Sequence, residues 1–273
     1  MSLHHVEAVM GTSISIDIVD SHDRSLIDEL VAWFHHVDEE FSPYREHSPI
    51  SCIGRGELAP TDREVSDDVR QVLQRCGELN EESGGVFDVW SMPSPNGTRF
   101  DPCGYVKGWS VQRAADLLRA NGVHDFCINA GGDVAMNGCN HGGAPWRVGI
   151  RHPQEPQALV MVLNGPRPGN GNGNGNGSGN GNGSGAWAVA TSGTYERGAH
   201  IFDPRTDRPV TGLASATVVG PDLAEADAYA TMLYVMGVDG LQWLAERPGY
   251  CGCLITHDLQ LFSTDEFDAY LAT

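Results

Sequence analysis

The chain has 273 residues, 40% hydrophobic and 19% charged, enough to bury one sizeable core in one or two domains. Its 36 acidic residues against 17 Lys and Arg give a net charge of -19, a surface that repels phosphate backbones and anionic bilayers. Nucleic-acid and membrane-surface partners are therefore excluded, and an anionic small ligand would need local neutralisation, for which a bound divalent cation is the obvious candidate.

Residues 6–19 read as extended chain: Ile14-Ser15-Ile16-Asp17-Ile18 alternates apolar and polar, and Gly11 interrupts the run. Over residues 23–39, Leu26, Ile27, Leu30, Val31, Phe34 and Val37 recur at helical spacing. Ser66 is placed to cap a second helix bearing Val69, Val72, Leu73, Cys76 and Leu79, ended by Gly84 and Gly85. The pattern predicts a third helix over residues 106–121, stopping at Gly122. Apolar segments at 125–129, 134–136, 146–150 and 158–163 are linked too briefly for crossover helices and read as antiparallel strands. Residues 169–185, GNGNGNGNGSGNGNGSG, cannot bury apolar area. They are expected to form a flexible coil of about 20–25 Å span, an expanded hairpin loop between two strands. A helix over 223–236, a shorter one near 241–246 and strands at 253–256 and 260–263 complete the chain. Helices and strand clusters segregate rather than alternate, which favours the α+β class.

The seven cysteines show no metal-ligand spacing and read as reduced thiols packed mostly as small hydrophobes, with Cys251 and Cys253 on one side of a strand. The first residues carry no basic segment followed by an apolar stretch, and no apolar run reaches membrane-spanning length. The expectation is a soluble, cytoplasmic protein.

Four segments could carry chemistry. In Glu225-Ala226-Asp227-Ala228-Tyr229-Ala230-Thr231, Asp227 and Thr231 lie one helical turn apart on one face, a carboxylate and a hydroxyl able to hold a hard cation such as Mg²⁺. The same residues equally suit a helix start whose acids complement the dipole and whose Thr packs on the core. Asp101-Pro102-Cys103-Gly104-Tyr105-Val106-Lys107-Gly108 leads into a helix; its backbone N–H groups and Lys107 suit phosphate, although a capped turn explains the pattern as well. Asn129-Ala130-Gly131-Gly132-Asp133 either lets a ligand approach the backbone closely or makes a tight hairpin turn. Ala190-Thr191-Ser192-Gly193, followed by His200-Ile201-Phe202-Asp203-Pro204, has the composition of an active-site edge. His200 is the histidine best suited to accept a proton, although a lone histidine is more often structural. Ser192 lacks the surrounding elbow of a nucleophile.

The order of the motifs says more than any one of them. Met10-Gly11-Thr12, Ser42-Pro43-Tyr44, Gly85-Val86-Phe87-Asp88, 101–108, 129–133, Thr191-Ser192-Gly193, 200–204 and Asp227-Ala228-x-x-Thr231 follow one another along nearly the whole chain. The series resembles the ApbE family of FAD:protein FMN transferases. The resemblance implies a single ApbE-like α+β domain over residues 1–273, with antiparallel sheets, flanking helices and the Gly/Asn-rich loop as an insertion at 169–185. It implies that Met10, Tyr44, Val86, Phe87, Asp88, Asp101, Lys107, Thr191, Ser192 and Gly193 bind FAD. The Gly104 carbonyl, Asp227 and Thr231 would ligate Mg²⁺, with His200 and Lys107 catalytic. The implied reaction moves FMN from FAD to a Thr or Ser hydroxyl of an acceptor flavoprotein and releases AMP. Hydrolysis of FAD by water at the same site, or FAD storage without catalysis, are the alternatives. Two departures stand out: 90–100, WSMPSPNGTRF, is shorter than the usual connection, and Asp207 stands where the family has glycine, a substitution that turn geometry tolerates.

Overall fold

The computed structural model describes residues 2–155, 157–166, 185–193 and 201–272. In chain order the elements are β1 (Leu3–Val9), β2 (Thr12–Ile18), α1 (Ser25–Phe41), α2 (Pro49–Gly54), α3 (Asp67–Glu82), α4 (Cys103–Ala120), β3 (Phe126–Ala130) and β4 (Asp133–Asn137). They continue as β5 (Arg147–Arg151), β6 (Leu159–Asn164), β7 (Trp187–Gly193), β8 (Phe202–Asp203), β9 (Arg208–Pro209), β10 (Ser215–Gly220), α5 (Leu223–Met236), α6 (Gly240–Ala245), β11 (Cys251–Ile255) and β12 (Leu261–Ser263). One eight-stranded antiparallel sheet runs β1-β2-β3-β4-β7-β10-β11-β12, and β5-β6 and β8-β9 form two small sheets. The expected α+β class with antiparallel strands is what the chain adopts.

Strand alternation explains the layering. Ala135 of β4, Ala188 and Ala190 of β7, and Ala216 and Val218 of β10 face the helices, in a core with Leu30 and Phe34 of α1 and Ala226 and Ala230 of α5. Small residues on this face let α4 and α5 lie close against the sheet, and the same is true where the two helices touch. The opposite residues, Val134, Met136, Trp187, Val189, Cys251 and Cys253, join Val148, Ile150, Leu163 and Phe267 in a second core under β5–β6. Cys251 and Cys253 therefore share a side, as the spacing predicts. All seven cysteines are free, and burial pushes the thiols of Cys76, Cys127, Cys251 and Cys253 up to about 12. No helix among the described residues is long and apolar enough to cross a membrane.

The structure differs from the sequence expectations in several places. The helix expected over 106–121 begins at Cys103, so Gly104 lies inside its first turn rather than ahead of it. Strand β10 was not expected; every one of its residues is buried, so no alternation marks it. The residues flanking the Gly/Asn-rich loop do not form a hairpin. β6 pairs with β5, whereas β7 lies between β4 and β10 in the large sheet. The loop itself falls outside the described residues except Gly185, as does the expected proton acceptor His200.

Candidate functional site

A cleft of about 900 Å³ lies where the first turns of α4 meet the β1–β2 turn, the β3–β4 turn, β5, the end of β7 and the middle of α5. Each element brings its residues there for a local reason. β1 and β2 close on a two-residue turn, Met10-Gly11, with Val9 opposite Thr12. Both turn residues have positive φ, 55° at Met10 and 70° at Gly11, the twist that tight hairpins require. Glycine takes this region freely; a methionine is held there only by its surroundings, and such strain concentrates at functional sites. Met10, Gly11 and Thr12 all line the cleft.

After α1, Tyr44 stands at the cleft wall with 78% of its surface exposed. Val86, Phe87 and Asp88 follow α3, and Phe87 is fixed at both ends of its peptide: Ser83 Oγ accepts its N–H at 3.0 Å and Asn80 Nδ2 donates to its carbonyl at 2.9 Å. Asp88 spends its oxygens on its own turn, accepting from Trp90 N–H at 2.9 Å and Ser91 Oγ at 2.6 Å. Asp101 Oδ1 accepts the Cys103 N–H at 2.8 Å and so ties the chain ahead of α4 to the helix's first residue.

The α4–α5 crossing forms the centre of the site. Gly108 packs so tightly that a Cβ there would lie 2.6 Å from the Leu223 carbonyl oxygen and 2.7 Å from Asp227 Cβ. The close approach lets the Gly108 N–H donate to Asp227 Oδ2 at 2.9 Å. In a regular helix that N–H points at the carbonyl four residues back, Gly104, so a carbonyl and a carboxylate converge on one donor. Asp227 is 5% exposed, and burial holds its carboxyl well above the ordinary carboxylate range; Lys107 opposes the shift and Asp133 adds to it. Thr231, one turn on, has its Oγ1 3.1 Å from Ser192 Oγ, and Thr191 Oγ1 is 2.9 Å from Thr217 Oγ1.

Met10, Tyr44, Val86, Phe87, Asp88, Asp101, Gly104, Lys107, Thr191, Ser192, Gly193, Asp227 and Thr231 all line this one cleft. His200 lies outside the described residues. Sequence reasoning missed Asp133 as a site residue, although it singled out the Gly131-Gly132-Asp133 segment. Asp133 Oδ1 accepts the Thr191 N–H at 3.0 Å and Oδ2 pairs with Lys107 Nζ. It also missed Arg45 and Arg151, further cationic side chains on the wall, of which Arg45 is paired with Asp38 at 2.6 Å. Their signal, isolated arginines in a strongly acidic chain, was present but had no spacing to support it.

The oxygen set of the Asp227 carboxylate, the Thr231 hydroxyl and the Gly104 carbonyl fits a hard cation such as Mg²⁺. Among the described residues no three His, Cys, Asp or Glu side chains form a metal-binding group. Mg²⁺ beside phosphates commonly completes its shell with ligand oxygens and water, so few protein ligands suffice.

A model of the ApbE family matches residues 10–96 and 91–255. The FAD:protein FMN transferase of Vibrio cholerae serotype O1 is 33% identical across 89% of this chain and 84% of its own length. That of Rhodobacter capsulatus is 37% identical, over 61% of this chain and 30% of its own length, so this chain spans under a third of that relative. The solved structure of the flavin transferase ApbE from Vibrio cholerae superposes with a TM-score of 0.80 over 99% of both chains at 22% identity, a shared fold. With the motif order, the fold and the family match in agreement, the chain belongs to the ApbE family.

Proposed function

We propose that this chain is a Mg²⁺-dependent FAD:protein FMN transferase. The observation that carries the reading is the gathering of the expected FAD and cation residues, from six separate segments, around the Asp227–Gly108 crossing in one cleft. The names of the relatives support the same activity. The size of the cleft suits a dinucleotide, and its walls combine apolar Met10, Val86 and Phe87 with cationic Lys107, Arg45 and Arg151.

In this reading Met10, Tyr44, Val86, Phe87, Asp88 and Asp101 hold FAD, and Thr191, Ser192 and Gly193 form the opposite wall. Asp227, Thr231 and the Gly104 carbonyl hold Mg²⁺, which supplies charge neutralisation on the pyrophosphate when bound. Lys107 adds a fixed positive charge. A Thr or Ser hydroxyl of an acceptor protein attacks the phosphorus on the FMN side; the bond from that phosphorus to the bridging oxygen breaks, and AMP leaves with that oxygen. His200, assigned from the family resemblance, takes the hydroxyl proton.

The test is incubation with FAD, Mg²⁺ and a candidate acceptor, followed by mass spectrometry of the acceptor and chromatography of nucleotides. An FMN mass increment with equimolar AMP is expected. FMN free in solution would replace transfer by hydrolysis, and intact FAD under every condition would sink the reading. Asp227→Ala should fold normally and lose AMP release by more than the about 10–100-fold that removal of an outer-shell partner costs. Full turnover in that variant would move the cation elsewhere.

A further inference from the structure

Asp133 lies buried behind the cleft wall, next to the lining residues Gly132, Lys107 and Thr191, and the reading above leaves it unused. It is 1% exposed and opens β4 directly after the Gly131-Gly132 turn. A buried carboxylate is tolerated only when it is paired and hydrogen-bonded. Both conditions are met by site residues on other elements: the Thr191 N–H of β7 at 3.0 Å, and Lys107 Nζ of α4. β4 and β7 pair at Val134 and Val189, and the Asp133 side chain extends that ladder to Thr191.

Lys107 immediately precedes Gly108, whose N–H holds Asp227 Oδ2 at 2.9 Å. Asp227 therefore shares one electrostatic neighbourhood with Lys107 and Asp133. A lysine is a compact charge on a flexible four-carbon stem and turns to whichever carboxylate is available. With Asp133 beside it the ammonium has its partner, and the Asp227 carboxyl is left for another cation. Without that partner, Lys107 would turn to Asp227 and compete there.

We propose that Asp133 is a positioning residue that holds Lys107 away from Asp227 and so reserves the Asp227 carboxylate for a divalent cation. The inference rests on the metal-dependent reading of the site. Asp133→Asn separates the two roles of the side chain: an amide oxygen still accepts the Thr191 N–H, and only the charge that holds Lys107 is lost.

The test needs no turnover. Mn²⁺ alone is titrated into the purified protein and the loss of the free-ion EPR signal is measured, with Asp227→Ala as the blank for surface sites. Asp133→Asn should weaken Mn²⁺ binding about tenfold. Adding Lys107→Met should return the affinity to within about threefold of Lys107→Met alone, because the competing ammonium is gone. A defect in packing would not be repaired by shortening Lys107, so a double variant as weak as Asp133→Asn overturns the proposal. Unchanged binding in Asp133→Asn overturns it too. Lys107→Met alone should match or exceed wild-type affinity; a loss overturns the proposal even if Asp133→Asn does not fold. If the wild type binds no more Mn²⁺ than the Asp227→Ala blank, the metal reading itself falls, an outcome distinct from the others.

Discussion

At the scale of single residues, the site depends on one missing methyl group. A Cβ at Gly108 would meet the Leu223 carbonyl oxygen at 2.6 Å and Asp227 Cβ at 2.7 Å, closer than such atoms approach in folded proteins. Gly108→Ala must therefore push α4 and α5 apart, at the about 1–3 kcal/mol typical of overpacking, and lengthen the Gly108–Asp227 bond. We expect a lower denaturation midpoint and a larger proportional fall in Mg²⁺-dependent AMP release than in stability. Wild-type AMP release from a folded Gly108→Ala protein would show that the N–H to Asp227 is dispensable. The residue scale is also where the sequence was most and least informative. Asp227 and Thr231 were legible because helical spacing put them on one face, and the ordered motifs identified that face. Asp133 was legible only as the acid of a turn, since its partners Thr191 and Lys107 come from β7 and α4, far away in sequence. Asp207 behaved as its turn chemistry predicts: it takes φ 56° without glycine and binds Arg99 at 2.8 Å, so the family's two departures touch each other.

At the scale of elements, α5 carries Asp227 and Thr231, the proposed cation ligands, and its start is set by Asp222. Asp222 Oδ1 accepts the Ala224 N–H at 2.8 Å and the Glu225 N–H at 3.2 Å, a side-chain cap for a helix start. Burial pushes this carboxyl from 3.8 up to about 6, with Glu225 and Asp116 adding like charge against the relief of the two N–H bonds. The folded protein thus retains a proton that the unfolded chain has already lost, and stability from this group falls as pH rises from about 4 through about 6. An asparagine keeps the cap acceptor and buries no charge. Asp222→Asn should leave the melting temperature unchanged near pH 4, raise it at pH 8 and flatten the profile between. About 2–4 °C is expected for each kcal/mol recovered. An equal shift at both pH values would place the effect outside the carboxyl. Other elements were less readable. Amphipathic α1 and α3 declared their buried faces by periodicity, and Ser66 caps α3 through the Val69 N–H at 3.3 Å as its position suggests. β10 gave no such sign because helices cover one of its faces and the second core the other. The partner of β7 was misread for a related reason: local spacing favours the nearest strand, whereas pairing follows the buried faces of a sheet assembled from distant segments.

At the scale of the whole molecule, the net charge of -19 and the local charges of the cleft act over different distances. Arg45, Lys107 and Arg151 stand on the cleft wall among Asp38, Asp88, Asp101 and Asp227, so the wall itself is nearly balanced. Near physiological salt the screening length is about 8 Å, and an approaching dinucleotide meets little beyond those groups. At about 0.01 M ionic strength it extends to about 30 Å, and the full acidic surface then repels an anionic ligand before it arrives. The association rate of FAD should accordingly rise with added KCl from low ionic strength at fixed free Mg²⁺, by about two- to fivefold, and then level off. Stopped-flow quenching of flavin fluorescence measures this directly. A rate that falls steadily with salt would mean that the cleft cations dominate at long range. In that case neutralising Arg151 or Lys107, rather than surface acids, would become the way to change substrate capture.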